Sequence, residues 1–134
     1  MRLVLIPPDK LQAAWPHIES FVNRIAEDSE GKTTLADMHR YGLTGDYLYW
    51  AVLDESGDPV ALVVVEIIRY AAGPAVSFFA CVGLGRRRWA HLKSVIEEWA
   101  KARGCVLARM VCRPGWERQF PDYEKKHVVL EKPL

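Results

Sequence analysis

The chain has 134 residues, 50% of them apolar and 26% charged, with a formal charge of +1. That length predicts one domain over residues 1–134 with a core that needs no disulfide or metal staple, and the near-neutral charge argues against a nucleic-acid binder. The longest apolar run, residues 59–68, is interrupted by Glu66 and falls short of the roughly 20 residues a membrane helix requires.

Taken in order, Arg2–Ile6 is a short apolar run closed by Pro7 and Pro8, which reads as a strand entering a turn. Its start is too short in apolar residues for a signal peptide. The 3 cysteines form no C-x-x-C pair, which points to a reducing, cytoplasmic setting. Asp9 and Gln12 resemble a capping box, and Leu11, Trp15, Ile18, Val22 and Ile25 then recur at helical spacing. Pro16 predicts a kink or a restart near Ala14 or Trp15, because proline lacks the N–H that a helix interior uses. Thr33 or Thr34 can cap a second, short helix carrying Leu35 and Met38, which Gly42 would end.

Strand-like runs at 47–53, 60–70 and 75–82 follow, separated by segments rich in Gly, Pro, Asp and Ser, and predict an antiparallel meander. Residues 88–103 place Trp89, Leu92, Ile96 and Trp99 on one stripe with Lys93, Glu97 and Lys101 away from it, and Gly104 closes that helix. A strand at 105–112, a turn or short helix at 114–123 and a last strand at 127–132 complete the order β-α-α-β-β-β-α-β-(α)-β. No internal repeat is present.

The strand–helix–strand unit from 75 to 112 should set its two strands parallel through a right-handed crossover. Between the first of those strands and the helix lie Val82, Gly83, Leu84, Gly85, Arg86, Arg87 and Arg88. A helix start carries unpaired N–H groups and partial positive charge, so arginines there invite an anion, and a phosphate-bearing ligand is the natural guess. The plain alternative is a tight turn followed by a solvated basic helix start. The histidines have no metal-ligand spacing, which argues against a metal site.

In this order of elements, with Gly83-Leu84-Gly85 before the crossover helix, the chain resembles the GNAT superfamily of N-acetyltransferases. Its C-terminal third is similar to small GNAT-like proteins of tailed bacteriophages in Trp89, Ile96-Glu97-Glu98-Trp99-Ala100, Gly104-Cys105, Arg113-Pro114-Gly115-Trp116, Pro121-Asp122-Tyr123 and Val128-Val129-Leu130-Glu131-Lys132. Trp15-Pro16 and Tyr49-Trp50 agree as well. The resemblance implies an α/β (α+β) fold: a mixed, mostly antiparallel sheet of about six to seven strands with helices on both faces. It also implies acetyl-CoA or another acyl-CoA held by Val82 to Arg88, with a small-molecule or protein amine as acceptor. The family pattern has Arg or Gln where this chain has Ala80, and a tyrosine where it has Arg118.

Glu66, interrupting an apolar strand, is a candidate general base, the alternative being a strand residue that points to water. Tyr123 is a candidate acid toward the departing thiolate, or else a buried aromatic anchor. Two readings stand: an acyl-CoA-dependent N-acyltransferase in the host bacterial cytoplasm, or an inactive GNAT fold that meets phage or host proteins, in the virion for example. A homo-oligomer is compatible with either.

Overall fold

The computed structural model describes residues 1–134, apart from the side chain of Arg86. Five strands, β1 (Arg2–Ile6), β2 (Leu48–Leu53), β3 (Pro59–Tyr70), β4 (Gly73–Gly83) and β5 (Leu107–Met110), form one sheet in that spatial order. The first three pairings are antiparallel, whereas β4 and β5 run parallel. The helices are α1 (Leu11–Asp28), α2 (Leu35–Thr44) and α3 (Lys93–Ala102).

Strand alternation sorts the side chains into two cores. Leu11, Trp15, Ile18 and Val22 of α1 and Met38 of α2 pack on Tyr49, Ala51, Leu62 and Val64. On the opposite face, Trp89 with Ile96 and Ala100 of α3 packs on Trp50, Val52, Val63, Val65 and Phe78. This is the expected mixed, mostly antiparallel sheet with helices on both faces, but it has five strands. The missing strand is the last one. Residues 127–132 carry no regular structure and are exposed, and β5 is confined to Leu107–Met110.

Local rules predict several boundaries and miss others. Thr34 caps α2 as expected, its hydroxyl accepting the Asp37 N–H at 3.1 Å. The capping box at Asp9 does not form: Pro8–Lys10 is a 3₁₀ turn, and α1 begins after Lys10 without a side-chain cap. α1 runs unbroken through Pro16. One absent hydrogen bond near the helix start is a smaller term than burying Trp15 and Ile18 on either side of it.

Gly42 lies inside α2, and Gly45, at φ 83°, is the left-handed residue that ends the helix. The glycine at 42 serves close packing instead. A Cβ there would stand 2.4 Å from Leu11 Cδ2 and 2.7 Å from Tyr49 Cε2. Both neighbours are buried, and the Tyr49 hydroxyl is tied to the Met38 carbonyl at 2.9 Å, so neither has room to yield. Glycine-to-alanine changes inside helices ordinarily stabilise by nearly 1 kcal/mol. Gly42→Ala is expected to destabilise by about 1–3 kcal/mol through overpacking, and the denaturant midpoint of the variant against the parent protein gives the sign.

Candidate functional site

β4 and β5 pair only from Ala75↔Leu107 to Phe78↔Met110. At that point β4 carries a bulge against β3: Val64 faces Ala80 and Val65 faces Phe78, leaving Phe79 as the extra residue. Phe79 and Ala80 consequently both pack toward the α1/α2 side, while Phe78 and Cys81 pack toward α3. A bulge sharpens the local twist and turns its strand, and here the turn carries β4 away from β5. The parted strands wall a narrow cleft, partly open to solvent. Phe78 to Cys81 form one wall and Met110 and Val111 another, Trp89, Ala90, Lys93 and Ile96 come from the crossover, and Trp116 and Phe120 from the C-terminal segment.

The Gly-x-Gly loop lies at the end of β4 beside this cleft. Its local structure departs from the expectation that the arginines open the crossover helix. Arg86–Arg88 and Ala90–Leu92 are 3₁₀ turns, and α3 starts only at Lys93. The reason lies in Trp89, whose ring is buried and whose indole N–H reaches back to the Leu84 carbonyl at 2.8 Å, folding the loop onto itself. Arg87 and Arg88 are exposed, and the Arg86 side chain is outside the described residues.

The two glycines have different reasons. Gly83 has φ 122°, and a Cβ there would lie 2.5 Å from Ala61 Cα, so β3 alone requires glycine. Gly85 has no such constraint: a Cβ would meet only Arg88, at 3.9 Å, and its φ lies outside the left-handed region. The fold tolerates a side chain at Gly85, and a ligand approaching the backbone closely would not.

Beside the cleft, the C-terminal segment is fastened to α3 by a polar cluster. Lys93 Nζ lies 2.9 Å from Asp122 Oδ2 and 3.3 Å from Glu97 Oε1, and the Tyr123 hydroxyl donates to Glu97 Oε2 at 2.5 Å. The ammonium also sits 5.2 Å from the Tyr123 ring centre and 5.7 Å from that of Phe120. Burial works against the charge on Lys93, but the hydrogen bonds and charges of Asp122 and Glu97 outweigh it and raise its pKa. The hydrogen bond from Lys93 lowers that of Asp122. Burial, then Glu97, pushes the Tyr123 phenol well above its ordinary value. Its proton is committed to Glu97.

Glu66 lies elsewhere. It pairs in register with Ser77 of β4, two positions beyond Val64 on the α1/α2 side of the sheet. It is half-buried, and its charge is the main electrostatic influence, after burial, that raises the pKa of Tyr47. Tyr47 in turn stacks on Phe79 at 4.9 Å between ring centres. Of the sequence-predicted site residues, the structure sets the 82–88 loop between the cleft residues Cys81 and Trp89 without making it part of the lining, Tyr123 on the α3 side and Glu66 on the opposite face. Trp116 borders the cleft. Lys93 was missed. Its i,i+4 pairing with Glu97 reads as a solvated helix face, and the segment that covers it has no helical or strand periodicity to reveal where it folds.

No protein-family profile and no curated protein matches the sequence. Solved structures do. An aminoglycoside acetyltransferase from an uncultured soil metagenomic sample superposes with a TM-score of 0.70 at 10% identity, covering 99% of this chain and 95% of that one. The fold is that of the GNAT N-acetyltransferases. The aminoglycoside 6'-N-acetyltransferase AAC(6')-Ih of Acinetobacter baumannii gives 0.65 at 16% identity, covering 99% and 97% of the two chains. The ribosomal-protein-alanine N-acetyltransferase of Brucella melitensis biovar Abortus 2308 gives 0.64 at 12% identity, covering 98% and 100%. The GNAT-like core therefore spans nearly the whole chain, although its residues are largely its own.

The polar cluster makes a pH prediction. Because the folded Asp122 pKa is lowered, its stabilisation is present above the unfolded carboxylate value and is lost as pH falls through the folded one. Because the folded Lys93 pKa is raised, its share is present below the ordinary lysine value and is lost as pH rises through the folded one. Asp122→Asn should lower the melting temperature slightly between those limits, the pair being largely exposed on the aspartate side, and make no difference below the acid limit. Tyr123→Phe should cost about 1–2 kcal/mol at neutral pH, as expected for a hydrogen bond to a carboxylate. Urea unfolding across pH compares both variants with the parent.

Proposed function

We propose that the protein is an N-acyltransferase that uses acetyl-CoA or another acyl-CoA, with an amine on a small molecule or a protein as acceptor. The observation that supports this most directly is the apolar cleft where β4 parts from β5, with the Gly83 to Arg88 loop running between its lining residues Cys81 and Trp89, in a fold whose neighbours are N-acetyltransferases. Past Phe78, β4 has a strand neighbour on one side only, so the main chain around Phe79 and Ala80 can accept the amide-bearing arm of such a ligand as though it were a strand. A Cβ at Gly85 would meet only Arg88, at 3.9 Å, so a phosphate can approach the backbone there, with the Arg87 and Arg88 guanidiniums to neutralise it. The residues present fit the group.

When bound, acyl-CoA supplies an activated thioester. The chain's own residues supply position and proton transfer. The apolar lining from Trp89, Met110 and Trp116 excludes water, and Glu66, across the strand from the cleft, takes the proton of an amine entering from the α1/α2 side. Tyr123 can act as an acid only after its bond to Glu97 opens, so in this reading its first role is to hold the cleft wall in place. The named neighbours include acetyltransferases of aminoglycosides and of a ribosomal protein, which leaves both acceptor classes in play. Phage origin, suggested by the C-terminal residues, and a cytoplasmic site of action belong to the same proposal. The alternative of an inactive virion component is not favoured by these neighbours.

Thermal unfolding with added acetyl-CoA or desulfo-CoA tests the proposal, because a ligand that binds only the folded state stabilises it by about 2.7 kcal/mol at a hundredfold excess over its dissociation constant. A raised melting temperature is expected. Gly85→Ala, which the fold tolerates, and Arg87→Ala with Arg88→Ala should keep the unliganded melting temperature and lose most of the ligand-induced shift. No shift in the parent protein at millimolar ligand would overturn the acyl-CoA reading, and a shift that survives in these variants would move the phosphates away from the loop.

A further inference from the structure

The cleft between β4 and β5 is nearly shut. Its free volume is about 40 Å³, room for a few water molecules, whereas a pocket that takes an organic ligand ordinarily offers roughly 300–1,000 Å³. A larger ligand must therefore displace a wall. Phe78 and Cys81 belong to β4, which is paired along β3, Met110 is paired with Phe78, and Ile96 is fully buried in α3, so moving any of them would open the sheet or strip the core. Trp116 and Phe120 come from a segment of another kind.

Residues 113–123 form neither strand nor α-helix. Their main-chain hydrogen bonds are local: the Arg118 N–H donates to the Gly115 carbonyl, those of Gln119 and Phe120 to Trp116, and that of Tyr123 to Phe120. A segment bonded to itself in this way can swing as a unit and keep these bonds. It is fastened to α3 at its far end by side chains, Asp122 on Lys93 at 2.9 Å and the Tyr123 hydroxyl on Glu97. The Asp122 side chain is 61% exposed, so water replaces it on Lys93 at little cost. Phe120, 4% exposed, is the apolar anchor, and its ring centre lies 5.9 Å from that of Trp116 and 6.1 Å from that of Tyr123, which joins the three rings into one body.

We propose that residues 113–123 are a strap that keeps the candidate site shut, and that a ligand enters only when Asp122 and Tyr123 release α3 and Trp116 and Phe120 swing out of the cleft wall. The strap competes with the ligand from within the chain: the apparent affinity is the intrinsic affinity multiplied by the fraction of molecules that are open. This inference rests on the cleft being the ligand site, as in the acyl-CoA reading, and not on which ligand it takes.

A fixed wall and a latch differ in sign, because loosening a wall weakens binding and loosening a latch strengthens it. Two probes serve for the parent protein, Tyr123→Phe and Asp122→Asn: desulfo-CoA, followed by calorimetry, and the apolar dye anilinonaphthalene sulfonate, followed by fluorescence. Tyr123→Phe removes the bond to Glu97 from the closed form alone, and should raise the open fraction and with it both affinities by about five- to thirtyfold. Asp122→Asn should give a smaller gain, with the far-ultraviolet circular dichroism of all three proteins the same. A dye affinity raised in neither variant overturns the strap. A raised dye affinity with no binding of desulfo-CoA to any of the three proteins upholds the strap and overturns the acyl-CoA reading instead.

Discussion

The site depends on one backbone irregularity, the extra residue in β4. Up to Phe78, β4 satisfies β3 on one side and β5 on the other, and the sheet is continuous. With Phe79 inserted, alternation is reset, so that Phe78 and Cys81 face α3 while Phe79 and Ala80 both face α1 and α2. A parallel pair cannot follow such a turn, because its evenly spaced, slanted bonds need both strands to keep direction. The parting leaves a narrow cleft between the two strands. The crossover that follows β4 brings Trp89, Ala90 and Lys93 to that cleft, and Glu66 lies on the other face of the sheet.

The rim is then closed by chemistry that is local to α3. Lys93 is a cation at the N-terminal end of a helix, where the macrodipole disfavours it. Asp122 and Glu97 compensate, and Glu97 has a second bond from Tyr123. The cluster pins residues 120–123 onto the helix and so holds Phe120 and Trp116 against the cleft. Burial of Phe120 and its ring contact with Trp116 hold the same segment. The tyrosine is thereby explained as a structural element before any catalytic role is considered.

How much of this the sequence discloses follows from the range of the interactions involved. Alternation in 47–53 and 60–70 reads directly as strands because each residue faces one of two apolar layers, and the parallel pairing of β4 with β5 follows from the connection between them. Position-specific signals were less secure. Pro16 and Gly42 have strong local preferences that tertiary packing overrides, one by burial of Trp15 and Ile18, the other by the approach of Leu11 and Tyr49. The three arginines after Gly85 promise a helix start, yet Trp89 folds the turn back on Leu84 and delays α3 to Lys93, a contact that no periodicity encodes. The bulge is likewise silent in the sequence, since Phe78-Phe79-Ala80 reads as an uninterrupted apolar strand.

The tail shows the same limit from the other side. Residues 127–132 read as a strand, and by composition they are one, but a strand exists only against a neighbour, and within a single chain the neighbour is not engaged. A sequence pattern reports the preference of a segment and not the partner that satisfies it. β5 has the converse problem: with four residues and one covered side, it is the weakest pairing in the sheet while forming a wall of its cleft. The tail keeps a strand preference without a strand partner, and β5 keeps one open side.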